Sequence, residues 1–317
     1  MTEPLRPMST GQLLDQAFAL YRRNFLLFVG IATVGPAAYL VFQMLTVGAN
    51  VGFPFSGRRA TTPVAGASLG LSLLVGYVVM LAGMALSHAA TVKAVAAVHL
   101  GREISVAGAY KALRGRIWSL FGTFGLIVLI VGAAVLVIGM IGGLILAGIL
   151  VGRPASSAGG AVGRSIAVIV IAVVIFAVII AIYVRYALAI QACMVEGLGP
   201  RASLKRSVFL SQGSRWRVVA IYLIFLILSW IVGAGLGAMG SAIGIRLHNR
   251  IAAAVLIYLA GFIAGALTGP LATIGLSLLY YDERVRKEAF DLQLMLLSLD
   301  VPGVPSATPA ETTPAQI

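Results

Sequence analysis

Long apolar tracts separated by short polar segments make up most of the chain. A helix needs roughly 20 apolar residues to span the hydrocarbon core of a bilayer, and six tracts reach that length: residues 25–47, 70–92, 117–151, 165–184, 218–240 and 251–281. The tracts do not alternate apolar and polar residues, as the strands of a membrane barrel do. The pattern therefore predicts an all-α, polytopic membrane protein with six transmembrane helices.

The composition excludes other classes of protein. Of the 317 residues, 60% are hydrophobic and 10% are charged, whereas a soluble domain is about half apolar and a quarter charged. The mean hydropathy is +1.02. A disulfide scaffold is excluded as well, because Cys193 is the single cysteine of the sequence.

Basic residues are distributed unequally between the two sides of the predicted bundle. The N-terminal segment, the loops after spans two and four, and the C-terminal segment hold 3, 5, 6 and 3 Lys or Arg residues, 17 in all, against six on the opposite side. All ten Asp and Glu residues also lie on the more basic side. Because basic loops stay in the cytoplasm, both termini are predicted to be cytoplasmic.

The positive charge suggests a partner at the membrane surface. A net charge of +13 can indicate nucleic-acid binding, but these cations are spread over four short segments and form no aromatic-studded groove. We expect anionic lipids of the inner leaflet as the counter-charge, with a membrane-protein partner or a second copy of the chain as further candidates. The candidate contact residues are Arg22, Arg23, Lys111, Arg114, Arg116, Lys205, Arg206 and Arg215.

The chain aligns with itself at an offset of 98 residues. The alignment superimposes five identical residues, namely Leu100, Gly101, Ser105, Gly115 and Trp118 on Leu198, Gly199, Ser203, Gly213 and Trp216. The N-terminal segment shows the same order of features with less similarity: Ser9, a helical stretch, Arg22 and Arg23, and then the start of the first span. We therefore predict three repeat units, about residues 9–99, 100–197 and 198–299, each an interfacial amphipathic helix followed by a hairpin of two spans. Residues 1–8 are an N-terminal tail, and residues 300–317 are predicted to be a disordered C-terminal tail.

The first of these amphipathic helices has a clear pattern. Leu13, Ala17 and Tyr21 share one face, and Ser9 with Gln12 has the form of a capping box. Such helices lie along the inner leaflet, with packing against the helical bundle as the alternative. A fourth surface helix is predicted over residues 282–299, where opposite charges recur four residues apart.

Glycines spaced four residues apart occur in the fifth and sixth spans. Small residues at this spacing let the backbones of membrane helices approach closely. The predicted packing residues are Gly233, Gly237, Gly261, Gly265 and Gly269.

Motifs for catalysis and cofactor binding lack the context that their chemistry needs. Residues 66–70 match G-x-S-x-G, but no acid lies on that side of the membrane. Residues 235–240 match G-x-G-x-x-G, but no strand precedes them. His88, His99 and His248 lack the spacing of metal ligands. We therefore predict no catalytic residue, no metal and no cofactor.

Few polar side chains fall within the spans. His88 is expected at the cytoplasmic end of the second span, where it can reach the headgroups. Gln191 and Thr268 are expected to form hydrogen bonds between helices rather than to line a substrate path. The alternative is a cavity for a neutral or lipid-like molecule, framed by Pro36 and Pro270.

Three stretches resemble a known family: STGQLLDQAFALYRRNFLLF, VEGLGPRASLKRSVFLSQGSRWRV and LLYYDERVRKEAFDLQLML. They are similar to bacterial six-span proteins grouped as the glycerophosphoryl diester phosphodiesterase membrane domain, and the resemblance covers most of residues 9–299. It implies the fold, a bacterial cytoplasmic membrane, and an association with lipid metabolism or a partner enzyme. The phosphodiesterase activity of the family name belongs to a separate soluble barrel, for which this chain has no room.

Together these features predict a non-catalytic scaffold or accessory subunit that organises lipids or partner proteins at the cytoplasmic leaflet. The alternative is a transporter or flippase of a lipid-like or small neutral solute. The two functions differ in whether a polar cavity reaches the middle of the membrane.

The unequal distribution of basic residues gives a direct test of orientation. Reporter fusions after Ser306 and within residues 155–160 should give opposite signals, with the fusion after Ser306 active in the cytoplasm. Matching signals from the two fusions would contradict the six-span topology.

Overall fold

The computed structural model describes residues 8–55, 63–99, 101–152 and 158–288. Within these ranges the chain folds into helices and forms no strand. In chain order they are α1 (Thr10–Arg23), α2 (Phe25–Ala32), α3 (Val34–Phe55), α4 (Pro63–His99), α5 (Val106–Lys111), α6 (Ile117–Gly152), α7 (Ala158–Tyr186), α8 (Ala189–Glu196), α9 (Pro200–Ser211), α10 (Arg215–Arg246) and α11 (Arg250–Glu288).

Six stretches are long and apolar enough to cross a membrane. They are Phe25–Thr46, Gly70–His99, Ile117–Ile145, Ser165–Glu196, Arg215–Arg246 and Ile251–Glu288. The predicted all-helical fold with six spans is therefore confirmed. Consecutive spans pair in hairpins, α3 with α4, α6 with α7 and α10 with α11, and α11 also contacts α1, α2, α3, α4 and α9.

Both ends of the described chain lie at the same end of the bundle. The backbone N–H of Met8 donates a 2.7 Å hydrogen bond to Oδ1 of Asp282, near the end of α11. We call this end of the bundle the terminal side. The predicted tail 300–317, the tail residues 1–7 and the helix expected beyond Glu288 lie outside the described residues.

Buried side chains concentrate on the terminal side. The core there joins α1, α5, α8 and α9 to the adjoining ends of the long helices, and its largest members include Leu13, Phe28, Leu113, Leu188, Leu210 and Tyr280. In contrast, the most apolar windows of the third and fourth spans bury none of their residues within the protein. The terminal side is thus packed like a soluble domain, while the α6–α7 hairpin presents apolar side chains outward, as helices do in lipid.

The short helices pack against the bundle rather than presenting their apolar faces to lipid. The predicted capping box at Ser9 is confirmed, but Leu13 and Ala17 of α1 are fully buried in the protein. Met8 binds Asp282, and the hydroxyl of Tyr21 donates to the carbonyl of Leu267. These contacts align α1 along some 15 residues of α11, a length of about 22 Å. Packing against the bundle, the alternative in the sequence interpretation, therefore describes α1.

Residues 282–288, the described part of the predicted fourth surface helix, belong to α11 and do not form a separate helix. Helix α11 continues without a break to Glu288, and Asp282 and Glu283 are each only 2% exposed. The spacing of opposite charges nevertheless indicates an ion pair that the structure contains. Glu283 pairs with Lys287 at 3.2 Å, as expected for side chains four residues apart.

Both short motif matches lie inside helices. Residues 66–70 fall within α4 and residues 235–240 within α10. A nucleophile elbow needs a turn between strand and helix, and a dinucleotide fingerprint needs a helix N-terminus. Neither context is present at these positions.

The predicted packing glycines do not form one continuous interface. A Cβ added to Gly265 would lie 3.1 Å from Cγ of Pro36, and one added to Gly233 would lie 3.8 Å from Cβ of Ala264. At Gly237, Gly261 and Gly269 an added Cβ would meet no described atom within 4 Å. Closer contacts of the hairpins occur at glycines outside the predicted set, where an added Cβ would overlap a neighbouring helix, such as Gly83 and Gly244.

The contact between Gly265 and Pro36 can be tested by substitution. Gly265→Leu should lower the free energy of unfolding by about 1–3 kcal/mol, because the larger side chain forces α11 away from Pro36. Gly261→Leu, one turn away with open space around it, is the matched control. Equal midpoints of thermal unfolding in detergent for the two variants would show that this contact does not limit packing.

Candidate functional site

A cavity of about 450 Å³ lies inside the bundle, between α3, α4, α6, α7, α8, α10 and α11. This volume is in the range of about 300–1,000 Å³ that is usual for small-molecule sites. One lining residue indicates its depth. Ser229 follows Arg215 by 14 residues within α10, which places it about 20 Å along this helix from the basic residue. The cavity therefore extends from the terminal side to the middle of the spans.

Three spans with interrupted helical hydrogen bonding meet at this cavity: two are divided into separate helices, and the third is a continuous helix that contains a proline. The first span is divided between α2 and α3 at Thr33, and the fourth between α7 and α8 around Ala187. The sixth contains Pro270 inside α11. Pro36, Ala187 and Pro270 all line the cavity. Irregular backbone within membrane spans is tolerated where it is buried in protein or lines a cavity, and broken helices often form the sites of transporters.

The first interruption is stabilised by two hydroxyl groups. Pro36 has no N–H, so the carbonyl of Ala32 loses its usual helical partner. Ser87 of α4 donates to that carbonyl at 3.3 Å, and Tyr110 of α5 donates to the carbonyl of Ile31 at 2.6 Å. Burial raises the pKa of Tyr110 to about 12.

Helices α1 and α9 supply hydroxyl groups close to the other two interruptions. Tyr21 of α1 donates to the carbonyl of Leu267 at 2.6 Å, next to the carbonyl of Ala266, which loses its helical partner at Pro270. Ser207 of α9 donates to the carbonyl of Arg185 at 3.0 Å and accepts from the N–H of Leu188 at 3.2 Å. Each of the three short helices α1, α5 and α9 thus supplies a hydroxyl to one interrupted span.

Polar side chains on the cavity wall are largely paired with one another. His88 Nδ1 and Thr273 Oγ1 share a hydrogen bond of 3.0 Å, and Ser229 and Thr268 share one of 2.7 Å. His88 therefore contributes to the cavity wall, and its position relative to the headgroups stays a prediction. The pairing of Thr268 with Ser229 is the predicted bond between helices.

Gln191 is the exception among these polar residues. Its side chain is 3% exposed and lines the cavity, and its Oε1 atom has no hydrogen-bond partner among the described residues. The expectation that Gln191 bonds between helices is therefore not met at this oxygen. No Asp, Glu, Lys or Arg belongs to the described wall of the cavity.

A network of buried charges closes the terminal side below the cavity. Nη1 of Arg217 lies 2.6 Å from Asp282 Oδ2 and 2.8 Å from Glu283 Oε1. Arg206 binds Glu196 at 2.8 Å and also pairs with Glu288. Hydrogen bonding to Glu288 raises the pKa of the Arg206 guanidinium above its ordinary value. These ion pairs hold α8, α9 and α10 to the end of α11.

The predicted lipid or partner contacts divide into two groups. Arg206 belongs to the buried network and is only partly exposed. The other seven are exposed and form no ion pair with the described residues: Arg22, Arg23, Lys111, Arg114, Arg116, Lys205 and Arg215. They form part of the polar surface around the terminal side.

No group of three His, Cys, Asp or Glu residues in the described part of the chain is placed to hold a metal ion. The chain matches no family model, and no curated protein and no solved structure matches it. The resemblance described above therefore remains a prediction.

Tyr110 provides a test of the hydroxyl groups that stabilise the interrupted spans. Tyr110→Phe should lower the free energy of unfolding by about 1–3 kcal/mol, because the carbonyl of Ile31 loses its 2.6 Å donor. Tyr39→Phe, at a half-exposed position on α3, is the control and should change little. Thermal unfolding in detergent measures both, and equal midpoints for the two variants would contradict the role of Tyr110.

Proposed function

We propose that this protein is a non-catalytic transporter or flippase of a lipid-like or small neutral solute, in a bacterial cytoplasmic membrane with both termini in the cytoplasm. The observation that supports this proposal is the cavity among three interrupted spans. The two functions considered from the sequence differ in whether a cavity reaches the middle of the membrane. This cavity has a mainly apolar wall that carries several uncharged polar side chains, and its depth favours the transporter over the scaffold. An uncharged wall suits a neutral solute, since an unpaired ion would be costly to bury there.

The proposed architecture is a threefold repeat of a short helix followed by a hairpin. Gly115 and Gly213, which the 98-residue offset pairs, both adopt a positive φ, of 85° and 83°. Trp118 and Trp216, three residues further on, are 87% and 82% exposed. The matching roles of α1, α5 and α9 at the three interruptions add support. We infer that the two tryptophans lie at equivalent places on the inner interface, where tryptophan is enriched.

The transport proposal can be tested by filling the cavity. Gly269 lines it, and a Cβ added there would meet no described atom within 4 Å, so Gly269→Leu should occupy the space without displacing a helix. In reconstituted vesicles, transfer of a fluorescent monoglucosyl diacylglycerol between leaflets, followed by dithionite quenching, should fall by about tenfold or more.

The matched control is Gly261→Leu, which adds the same side chain to the same helix outside the cavity and should transfer the lipid like the unmodified protein. If the unmodified protein does not accelerate transfer, or if Gly269→Leu leaves the rate unchanged, the cavity is not the path of the solute. The scaffold function then takes its place.

A scaffold at the cytoplasmic leaflet is the second candidate, and the seven exposed cations favour it. Each cation near an anionic surface contributes about 1 kcal/mol. Replacing Lys111, Arg114, Arg116, Lys205 and Arg215 by Gln should therefore reduce the phosphatidylglycerol or partner protein that copurifies. The variant must first show the normal topology with the reporter fusions, because the same cations orient the chain. Unchanged retention in a correctly inserted variant would contradict a lipid- or partner-organising role.

A further inference from the structure

We propose that Gln191 recognises the headgroup of the molecule in the cavity, and that this headgroup is uncharged and carries a hydroxyl group. The Oε1 atom of Gln191 accepts the hydrogen bond that the hydroxyl donates. This inference rests on the proposed function, in that the cavity holds a lipid-like molecule, and it specifies the class of that molecule.

The proposal depends on the side-chain oxygen of Gln191, which has no hydrogen-bond donor among the described residues. Gln191 belongs to the cavity wall and its side chain is 3% exposed. Its Oε1 atom is itself enclosed and finds no donor within the described structure, and a half-turn of the amide about its terminal bond is sufficient to exchange the positions of the oxygen and the nitrogen. A buried amide oxygen without a donor destabilises a protein, and such groups are rare in native folds. Ser229 and Thr268, by comparison, satisfy each other across the same wall. Gln191 is therefore placed to receive a donor that comes from the contents of the cavity.

The position of Gln191 indicates how an amphiphilic ligand is oriented in the cavity. Gln191 lies in α8, next to the terminal-side core residues Ala192 and Cys193. Phe124, Ile127 and Leu226 contribute apolar surface to other parts of the wall. An amphiphile would thus place its polar end near α8 on the terminal side and its apolar part among the spans, as a lipid of the nearer leaflet does.

The described cavity wall contains no charged side chain, and this restricts the chemical class of the headgroup further. A phosphate would need Lys or Arg to compensate its charge, and the described wall contains neither. A hydroxyl of a sugar or glycerol headgroup provides the donor that Oε1 lacks and brings no charge. We infer a neutral glycolipid or glycerolipid as the class of ligand.

The first experiment varies the ligand and leaves the protein unchanged. The full chain is purified in lauryldimethylamine oxide, a detergent without hydroxyl groups, and binding of monoglucosyl diacylglycerol is measured by native mass spectrometry. The comparison ligand is the same lipid with every hydroxyl converted to a methyl ether. The hydroxyl form should bind at least about tenfold more tightly. Equal binding of the two forms would overturn the role of a hydroxyl donor and leave the proposed lipid cavity intact.

The second experiment varies Gln191. Gln191→Leu should weaken binding of the hydroxyl lipid by about tenfold and leave binding of the methyl ether unchanged. Gln43→Leu is the matched control, since Gln43 lies in α3 outside the cavity wall, and it should bind both lipids like the unmodified protein. A similar loss for both lipids in Gln191→Leu would point to altered packing and would overturn the specific contact.

The thermal stability of the ligand-free Gln191→Leu variant distinguishes a role of Gln191 in ligand recognition from a role in the fold. Removing a buried oxygen that has no partner should leave the empty protein at least as stable to heat, while the stabilisation by the hydroxyl lipid falls. A lower melting temperature for empty Gln191→Leu would show that the oxygen is already satisfied, for example by water, and would overturn the proposal. If neither lipid binds the unmodified protein, the proposed transport of a lipid-like solute fails as well.

Discussion

A break in a membrane-spanning helix exposes backbone N–H and C=O groups where lipid offers no hydrogen bond. Two of the six spans of this protein are divided in this way, around Thr33 and Ala187, and Pro270 leaves one carbonyl of the continuous helix α11 without its N–H partner. Hydroxyl groups of Tyr110, Ser207 and Tyr21 donate to backbone carbonyls close to these places. The short helices on the terminal side therefore supply a hydrogen bond close to each interruption.

This arrangement explains where the protein is rigid and where it is open. The hydroxyl donors must approach the interrupted backbones closely, so α1, α5 and α9 pack tightly against the ends of the long helices, and the buried core forms there. Farther from the terminal side, towards the middle of the membrane, uninterrupted helices could continue to pack against one another. Interrupted helices leave space between them, and the cavity occupies that space. The packed terminal side and the cavity above it are thus two results of one constraint.

The sequence predicts the spans well because their signal is local. A run of apolar residues is sufficient to identify a membrane helix, and the six predicted tracts coincide with the six long helices. The burial of Asp282 and Glu283 was not predicted, because charge spacing along one helix does not reveal a partner such as Arg217, some 65 residues earlier. The glycine spacing has the same limit, since it shows that two glycines share a face and not that another helix covers it. Of the five glycines, Gly233 and Gly265 meet a neighbouring helix within 4 Å in the described structure.

The candidate site was visible in the sequence only as separate residues. Pro36 and Pro270 were recognised as its possible frame, because proline interrupts a helix whatever surrounds it. The interruption at Ala187 contains no proline, and nothing in the local sequence of α7 indicates it. Gln191 stood out as polar within an apolar region, but its missing partner depends on the packing of other helices. A tyrosine on the apolar stripe of α1 or α5 gives one further signal, since a buried tyrosine usually needs a partner for its hydroxyl.

Helix α1 and Pro270 determine where α11 is held and where its backbone lacks a hydrogen bond. Helix α1 is bonded to α11 at both ends, by Met8 to Asp282 and by Tyr21 to Leu267. The arginines that bind Asp282 and Met8 fix the same part of α11. Because Pro270 removes one backbone hydrogen bond close to Leu267, bending there is easier than elsewhere in α11. Gly265, which packs against Pro36, lies on the other side of this point from the contacts that hold the terminal end of α11.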